Sequence, residues 1–295
     1  MRIAVTGQAG QLVCALAERA GAHEVIALGR PLLDLARPET IAPALAAARP
    51  DVVINAAAYT AVDKAEAEED LAFAINATGA GEVARAAHAL GAGLIHVSTD
   101  YVFDGSKPAP YVETDAPAPT GAYGRSKLAG EQAVLAAHPQ AVVARTAWVY
   151  SPFGANFVKT MLRLAQTREE LGVVADQFGC PTNALDLADA LLAIAPQLGG
   201  APQVGRNGGV FHLAGTGEAS WAEFASAIFA ASAELGGPAA RVKPITTADY
   251  PTPARRPANS RLDCSAAKAA FGVALPAWQG AVRAVVHRLI TEQGQ

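Results

Sequence analysis

Five short apolar runs, at residues 3–5, 25–28, 52–54, 94–97 and 142–144, alternate with longer segments whose apolar residues recur at helical spacing, among them 12–20, 73–90 and 128–137. Each run is too short for a helix and too continuous for a strand with one wet face, so it reads as a strand buried on both sides. Strands that alternate with helices need crossover connections, which are right-handed and give a parallel sheet with helices on both faces. The expected fold is therefore α/β, a doubly wound parallel sheet of the Rossmann type.

Beyond about residue 150 the rhythm loosens. Glycine and proline crowd in at Pro152, Gly154, Gly179, Pro181, Gly199, Gly200, Gly208 and Gly209, and again through "DYPTPARRPANSRLD". Helical spacing persists at 156–166, 185–194 and 221–233, the last entered through Ser220 as a plausible N-cap. Trp278, Val282, Val285, Val286, Leu289 and Ile290 form one apolar helical face near the end. These features predict a smaller, discontinuous C-terminal substrate lobe. The expected division is residues 1–150 plus about 184–215 for cofactor binding, and 151–183 plus about 216–295 for substrate.

The chain of 295 residues carries a net charge of −4 and no lysine- or arginine-rich run, which excludes the basic footprint of a nucleic-acid binder. Cys14, Cys180 and Cys264 are odd in number and in no metal-ligand spacing, arguing against a disulfide framework or a zinc site and for a reducing cytoplasm. The opening "MRIAV" reads as a strand and not a signal peptide. Although 51% of residues are hydrophobic, most of the excess is alanine, and polar residues interrupt every run short of a membrane span. A soluble cytoplasmic protein without a membrane partner is expected.

The chemistry begins at "VTGQAGQLV", a glycine turn between a strand and an apolar helix whose third glycine position is Val13. Backbone N–H groups at such a helix start can receive a pyrophosphate. The third glycine serves helix–strand packing, so Val13 bears on that spacing more than on binding. At the end of the second strand, "VIALGR" offers Arg30, with no carboxylate until Asp34, which favours a 2′-phosphate and hence NADPH, with NADH possible. A solvated surface arginine is the alternative.

"TGAYGRSKLAGE" places Tyr123 and Lys127 four apart at a helix start, on one face. A cation about 4 Å from a phenol, at an effective dielectric of about 20, favours phenolate by about 4 kcal/mol, which would bring the tyrosine toward neutral pH as a general acid. "LIHVSTDYVFDG" ends a buried strand with Ser98, Thr99 and Asp100, at the sheet edge where such folds hold ligands. A glycine turn, a strand-end hydroxyl and a downstream Tyr-x-x-x-Lys together are the set needed to reduce a carbonyl with a nicotinamide hydride. His96, within the same strand, reads as a satisfied structural residue, and Trp221 and Trp278 as core.

On these residues, and on "DVVINAAAYTAVDKAE", "FAINATG", "RTAWVYSPFGANFVKTML", "DQFGCPTNALDLA" and "FHLAGTGEASWAEFA", the chain resembles the extended short-chain dehydrogenase/reductase family, specifically its dTDP-rhamnose-forming branch. The resemblance covers nearly the whole chain. It implies NADPH-dependent reduction of the C4 carbonyl of dTDP-4-dehydro-L-rhamnose. It also implies Thr99, Tyr123 and Lys127 as the catalytic residues, with Lys127 also on the nicotinamide ribose. Gly7, Gly10, Gln11 and Leu12 match the pyrophosphate turn, Asp34 and Leu35 the adenine pocket, and Ala56, Ala57, Tyr59 and Asn76 further cofactor contacts. Thr99, Asp100, Tyr123, Trp148, Asn156, Arg255 and Arg256 are the candidates for the sugar nucleotide. The two arginines suit a diphosphate because guanidinium forks bind oxyanions bidentately.

Some relatives bind magnesium at a dimer interface through a glutamate in the first helix. Here that position reads Ala15, and the second metal region reads Leu185-Asp186, so no metal is expected and a monomer or weak homodimer follows. Two other readings stay open: a non-catalytic NADP-binding regulatory subunit like the β subunit of methionine adenosyltransferase, and another sugar-nucleotide reductase, epimerase or dehydratase.

Overall fold

The structure is a computed structural model that describes residues 1–198 and 208–293. Gly199, Gly200 and the rest of 201–207 within the expected returning segment, and residues 294–295, lie outside the described residues. Six parallel strands form the central sheet: β1 (Arg2–Thr6), β2 (Glu24–Leu28), β3 (Val52–Asn55), β4 (Gly93–Thr99), β5 (Val142–Thr146) and β6 (Gly209–His212), in the order β6-β5-β4-β3-β1-β2. All five apolar runs became strands, but β2, at the sheet edge, is only part-buried and not covered on both faces as expected. The sixth, in "GGVFHLAG", escaped the sequence reading because glycines and a histidine hold its apolar stretch to two residues.

Eight helices are needed to place the site: α1 (Gln11–Glu18), α2 (Ile41–Ala48), α3 (Ala80–Ala89), α4 (Ala122–Ala137), α5 (Phe157–Ala165), α6 (Ala184–Ile194), α7 (Trp221–Ala233) and α8 (Trp278–Gln293). Alternate strand residues feed two cores. Ile3, Val5, Val52, Ile54, Ile95 and Val142 pack under α1 and α6. Ala4, Val53, Leu94 and Val143 pack under α2, α3 and α4. Burial on both faces is what a continuous apolar strand requires. A third core joins α5, α7 and α8 over Tyr150, Leu171 and Val173. Among the described residues, no helix is long and apolar enough to cross a membrane.

The chain leaves β1 toward β2 on one side and returns to β3 on the other, so the strand order reverses between β1 and β3. Doubly wound sheets hold ligands outside the carboxyl ends of their strands at such a reversal. Thr6, Asn55 and Thr99 stand there.

Two local departures matter for the site. The helical pattern expected over 73–90 is split by a π-helical turn at Ala74–Gly79 before α3. Gly79 lies so close to Leu35 that a Cβ would sit 2.4 Å from its carbonyl oxygen, and a Cβ at Gly130 of α4 would sit 2.0 Å from that of Asn76. The second concerns α4, which starts at Ala122, ahead of its apolar-spaced part from 128, so Tyr123 and Lys127 fall in its first two turns, the helix start expected of them. Ser220 caps α7 in a capping box with Glu223, as expected, a feature worth about 1 kcal/mol.

Candidate active site

Gly7 leaves β1 at φ +106°, a conformation costly for any side chain, and donates its N–H to the Leu28 carbonyl at 2.6 Å. A Cβ at Gly7 would lie 3.1 Å from Val13 Cγ2, so Val13 fills the space beneath the turn and is itself buried. Gly10 enters α1 in an extended conformation with no capping side chain. The first-turn N–H groups of α1, at the positive end of its dipole, are therefore free to meet an anionic diphosphate. Leu12 turns into the core.

Arg30, at the exit of β2, is exposed and forms no ion pair among the described residues. Asp34 spends a carboxylate oxygen on the N–H of Ala36 at 3.0 Å and folds its own turn, while Leu35 is buried against the π turn. Ala57 donates its N–H to Thr6 Oγ1 at 3.0 Å, which fixes the loop leaving β3. Asn76 holds the next part of that loop from below. Its Oδ1 accepts from Tyr59 N at 2.8 Å, and its Nδ2 donates to Tyr59 O at 3.1 Å and Ser126 Oγ at 2.9 Å. Both amide hydrogens are committed, so Asn76 fixes the Tyr59 backbone in the loop after β3. The Tyr59 phenol donates outward to Glu68 at 2.5 Å, a bond that raises its pKa.

The catalytic candidates gather where β4 ends beside the start of α4. Thr99 Oγ1 donates to Asp100 Oδ1 at 2.9 Å and accepts from Tyr101 N at 3.2 Å. Asp100 is buried, and its other carboxylate oxygen has no partner. Burial pushes its pKa up to about 6, against the hydroxyls of Ser260 and Thr99. Tyr101 meets the Tyr123 ring edge-on at 5.5 Å between centroids.

Burial raises the Tyr123 phenol well above its ordinary value; a hydrogen bond with Thr99 pulls it down, while Asp100 and Tyr101 push it further up. The expected depression by Lys127 is absent. The Lys127 Nζ turns to β4 instead, donating to Val97 O at 2.7 Å and lying 3.4 Å from His96 Nε2. Burial brings Lys127 down to about 8, against the charge of Glu131.

Behind it, Glu131 accepts from Ser98 Oγ at 2.5 Å and from Arg145 through two bonds at 2.9 and 2.6 Å, all fully enclosed. His96 is buried and satisfied, as expected. The unforeseen part is that one of its partners is Lys127.

The substrate-side candidates separate. Trp148 adopts φ +48° and stacks on Trp221 at 3.5 Å with planes 9° apart. Only glycine fits at 179, where a Cβ would lie 2.4 Å from the Trp148 ring. Trp221 packs on the third core beside Phe157 and Phe224, at its rim, and the partly exposed ring also stacks on Trp148. Trp278 is core.

Asn156 accepts from Lys159 N at 3.2 Å as the cap of α5 and donates to Gln11 Oε1 at 3.0 Å and to the Ser151 and Phe153 carbonyls. Its amide joins that loop to the glycine turn. Gln11 is correspondingly used up as a side chain, accepting from Ser151 Oγ at 2.8 Å as well.

The two arginines do not act as a pair. Arg255 is exposed. Arg256 is tied to Asp63 at 2.8 Å, stands 6.0 Å over the Tyr101 ring and keeps one buried nitrogen without a partner. Asp63, Tyr101, Gln11's bridging role and Ser260 were not singled out from the sequence. Asp63 and Tyr101 sit inside "VDKAE" and "STDYVF", the signal that could have marked them.

Ala15 is fully buried in the first core. The outward carboxylate of α1 is Glu18, which pairs with Arg288 of α8 at 2.8 Å. Among the described residues, no cluster of three or more His, Cys, Asp or Glu could hold a metal ion.

A family model described as the RmlD substrate binding domain matches residues 1–291. The dTDP-4-dehydrorhamnose reductase of Sinorhizobium fredii is 51% identical over 293 residues, 99% of this chain and 99% of that protein. The crystal structure of a dTDP-4-dehydrorhamnose reductase from Clostridium acetobutylicum is similar with a TM-score of 0.90 at 39% identity, covering 98% of this chain and 100% of its own. That of the Bacillus anthracis enzyme, in complex with NADP, gives 0.88 at 37% identity over 97% and 99%.

Proposed function

This chain belongs to the RmlD substrate binding domain family, and from that premise we propose that it is an NADPH-dependent reductase that converts the C4 carbonyl of dTDP-4-dehydro-L-rhamnose to the alcohol of dTDP-L-rhamnose. The observation that carries this reading is the convergence of Thr99, Tyr123 and Lys127 at the carboxyl edge of β4, across the switch point from an uncapped α1. Bound NADPH supplies the hydride. The groups present fit it: free N–H donors at α1 for the diphosphate, a Gly7 turn with no side chain in the way, and the exposed Arg30 for a 2′-phosphate.

In this reading the phenol of Tyr123 gives its proton to the C4 oxygen as that oxygen gains charge, and Thr99 orients the same oxygen. A phenol held above its ordinary pKa keeps its proton until the oxyanion forms. Lys127 is placed to hold the nicotinamide ribose. Asp100, one bond from Thr99, holds that hydroxyl in place. The stacked Trp148 and Trp221 wall the sugar, and Arg255, with the unpartnered nitrogen of Arg256, is offered to the nucleotide diphosphate. We assign residues 1–150 with about 184–215 to the cofactor-binding part and the remainder to the substrate lobe. The enzyme is read as cytoplasmic, a monomer or weak homodimer.

The test is NADPH oxidation dependent on dTDP-4-dehydro-L-rhamnose. Loss of the general acid in Tyr123→Phe should lower turnover by roughly 10²–10⁴-fold while NADPH binding persists. A wild-type protein that binds NADPH but shows no substrate-dependent oxidation would sink the proposal and favour a regulatory subunit.

A further inference from the structure

Beneath the carboxyl ends of three strands runs a row of buried polar groups. Thr6 Oγ1 stands 2.7 Å from Asn55 Oδ1, Asn55 Nδ2 stands 3.0 Å from His96 Nδ1, and His96 Nε2 stands 3.4 Å from Lys127 Nζ. All four side chains are shut off from solvent. The row crosses from β1, at the residue before Gly7, through β3 and β4 to α4. At its β1 end, Thr6 Oγ1 also receives the N–H of Ala57, in the loop where cofactor contacts were expected.

Donor and acceptor rules allow this row two arrangements. In the first, Thr6 donates its hydroxyl hydrogen to Asn55 Oδ1, Asn55 Nδ2 donates to His96 Nδ1, and the neutral ring carries its hydrogen on Nε2. That hydrogen then points at Lys127, which must offer a lone pair and so be the neutral amine. In the second, Lys127 is an ammonium and donates to His96 Nε2. The ring hydrogen moves to Nδ1, the Asn55 amide turns over so that its oxygen accepts from the ring, and its nitrogen donates to Thr6 Oγ1. Thr6 Oγ1 then receives two hydrogens, from Ala57 and Asn55, and its own hydroxyl hydrogen loses the Asn55 acceptor. The first arrangement keeps every bond.

We propose that His96 is a positioning residue for Lys127 and that the Thr6–Asn55–His96 row is a two-arrangement hydrogen-bond switch that biases the lysine toward its neutral form. The other groups facing Lys127 are the Val97 carbonyl of β4 and Glu131 on its own helix, itself neutralised by Arg145 of β5. The Val97 carbonyl can only accept and Glu131 is engaged by Ser98 and Arg145, whereas the row can present the lysine with either a donor or an acceptor. The row is also the connection by which the loop after β3, held at Thr6, reaches the lysine. The inference deepens the reductase reading by giving Lys127 its charge control, but the row can be tested without turnover.

The test is the Lys127 pKa read by NMR of protein carrying ε-13C-labelled lysine, in a double-mutant cycle of Asn55→Asp and His96→Leu. A carboxylate at 55 accepts only, so it forces the ring hydrogen onto Nδ1 and favours the ammonium. Asn55→Asp should raise the Lys127 pKa by about one unit or more, a tenfold change in the protonation equilibrium. In the His96→Leu background that shift should fall to less than about a third. Equal shifts in both backgrounds would mean that the new charge acts through space, and the switch would be overturned. No shift in either would overturn it equally.

Thr6→Val, which removes the hydroxyl without changing shape, guards against a misfolded Asn55→Asp protein. It should move the pKa upward by a smaller amount, and only when His96 is present. In turnover assays Thr6→Val should move the basic limb of the kcat/KM profile in the same direction. If Lys127 shifts as described while no reduction is detected, the reductase reading fails and the switch stands.

Discussion

Asp100→Asn tests how deeply the carboxylate beside Thr99 is buried. Asp100 has one oxygen unpartnered and a pKa lifted from 3.8 to about 6, chiefly by burial. Because the native value lies above that of the unfolded chain, the folded protein binds the extra proton between those two values. Stability from this group is therefore full at low pH, falls as pH rises through the window from 3.8 to about 6, and is flat above it. A difference of about two units corresponds to a penalty of about 3 kcal/mol at pH 8 and about 1 kcal/mol at pH 4.5.

An asparagine cannot ionise, so whatever fixed cost its amide hydrogens incur, the stability of Asp100→Asn relative to wild type should rise by about 2 kcal/mol between pH 4.5 and pH 8. Urea unfolding followed by tryptophan fluorescence at a series of pH values gives the difference directly, and groups common to both proteins cancel. A relative stability that stays flat within about 0.5 kcal/mol across that range would refute the reasoning, since the carboxylate would then titrate as if solvated.

Arg30→Ala should weaken NADPH roughly tenfold to a hundredfold, the value of a charged hydrogen-bond pair of about 1.5–3 kcal/mol, and change NADH little. Fluorescence titration with both cofactors measures this, and equal losses would remove Arg30 from the site. Glu131→Gln leaves Arg145 as an enclosed, unbalanced charge, which should cost about 3–5 kcal/mol and lower Tm by roughly 6–15 °C. A calorimetric Tm within about 2 °C of wild type would show that the pair is not holding α4 against β5.

The sheet was legible because parallel strands buried on both faces must be apolar without interruption, as four of them are, and the part-exposed edge strand β2 is apolar as well. β6 was not, since an edge strand of four residues flanked by glycine leaves no such run. The π turn at Ala74–Gly79 was hidden for a different reason: one extra residue in a helical turn barely alters apolar spacing, yet it aims Asn76 at the Tyr59 loop.

In the site, Tyr123 and Lys127 announced themselves through their four-residue spacing. Their charge states did not, because those depend on burial and on groups brought in from β4. The partners of Asn156 and Arg256, Gln11 and Asp63, lie 145 and 193 residues away, so their motifs are visible in the sequence but the pairings are not. Trp221, at the rim of the third core, and Trp278, within it, carry the same helical signature.

The third core has a consequence for how the chain is made. α8 supplies Val282, Val285, Val286 and Leu289 against the Phe224 and Ile228 face of α7, and Arg288 reaches back to Glu18 in the first helix. That cover is the last described part of the chain to leave the ribosome. Some 60 residues separate the end of α7 from the end of α8, so at about 5–20 residues per second the apolar face of α7 waits roughly 3–12 s uncovered. Nascent chains stalled in that interval are where aggregation and chaperone capture should concentrate.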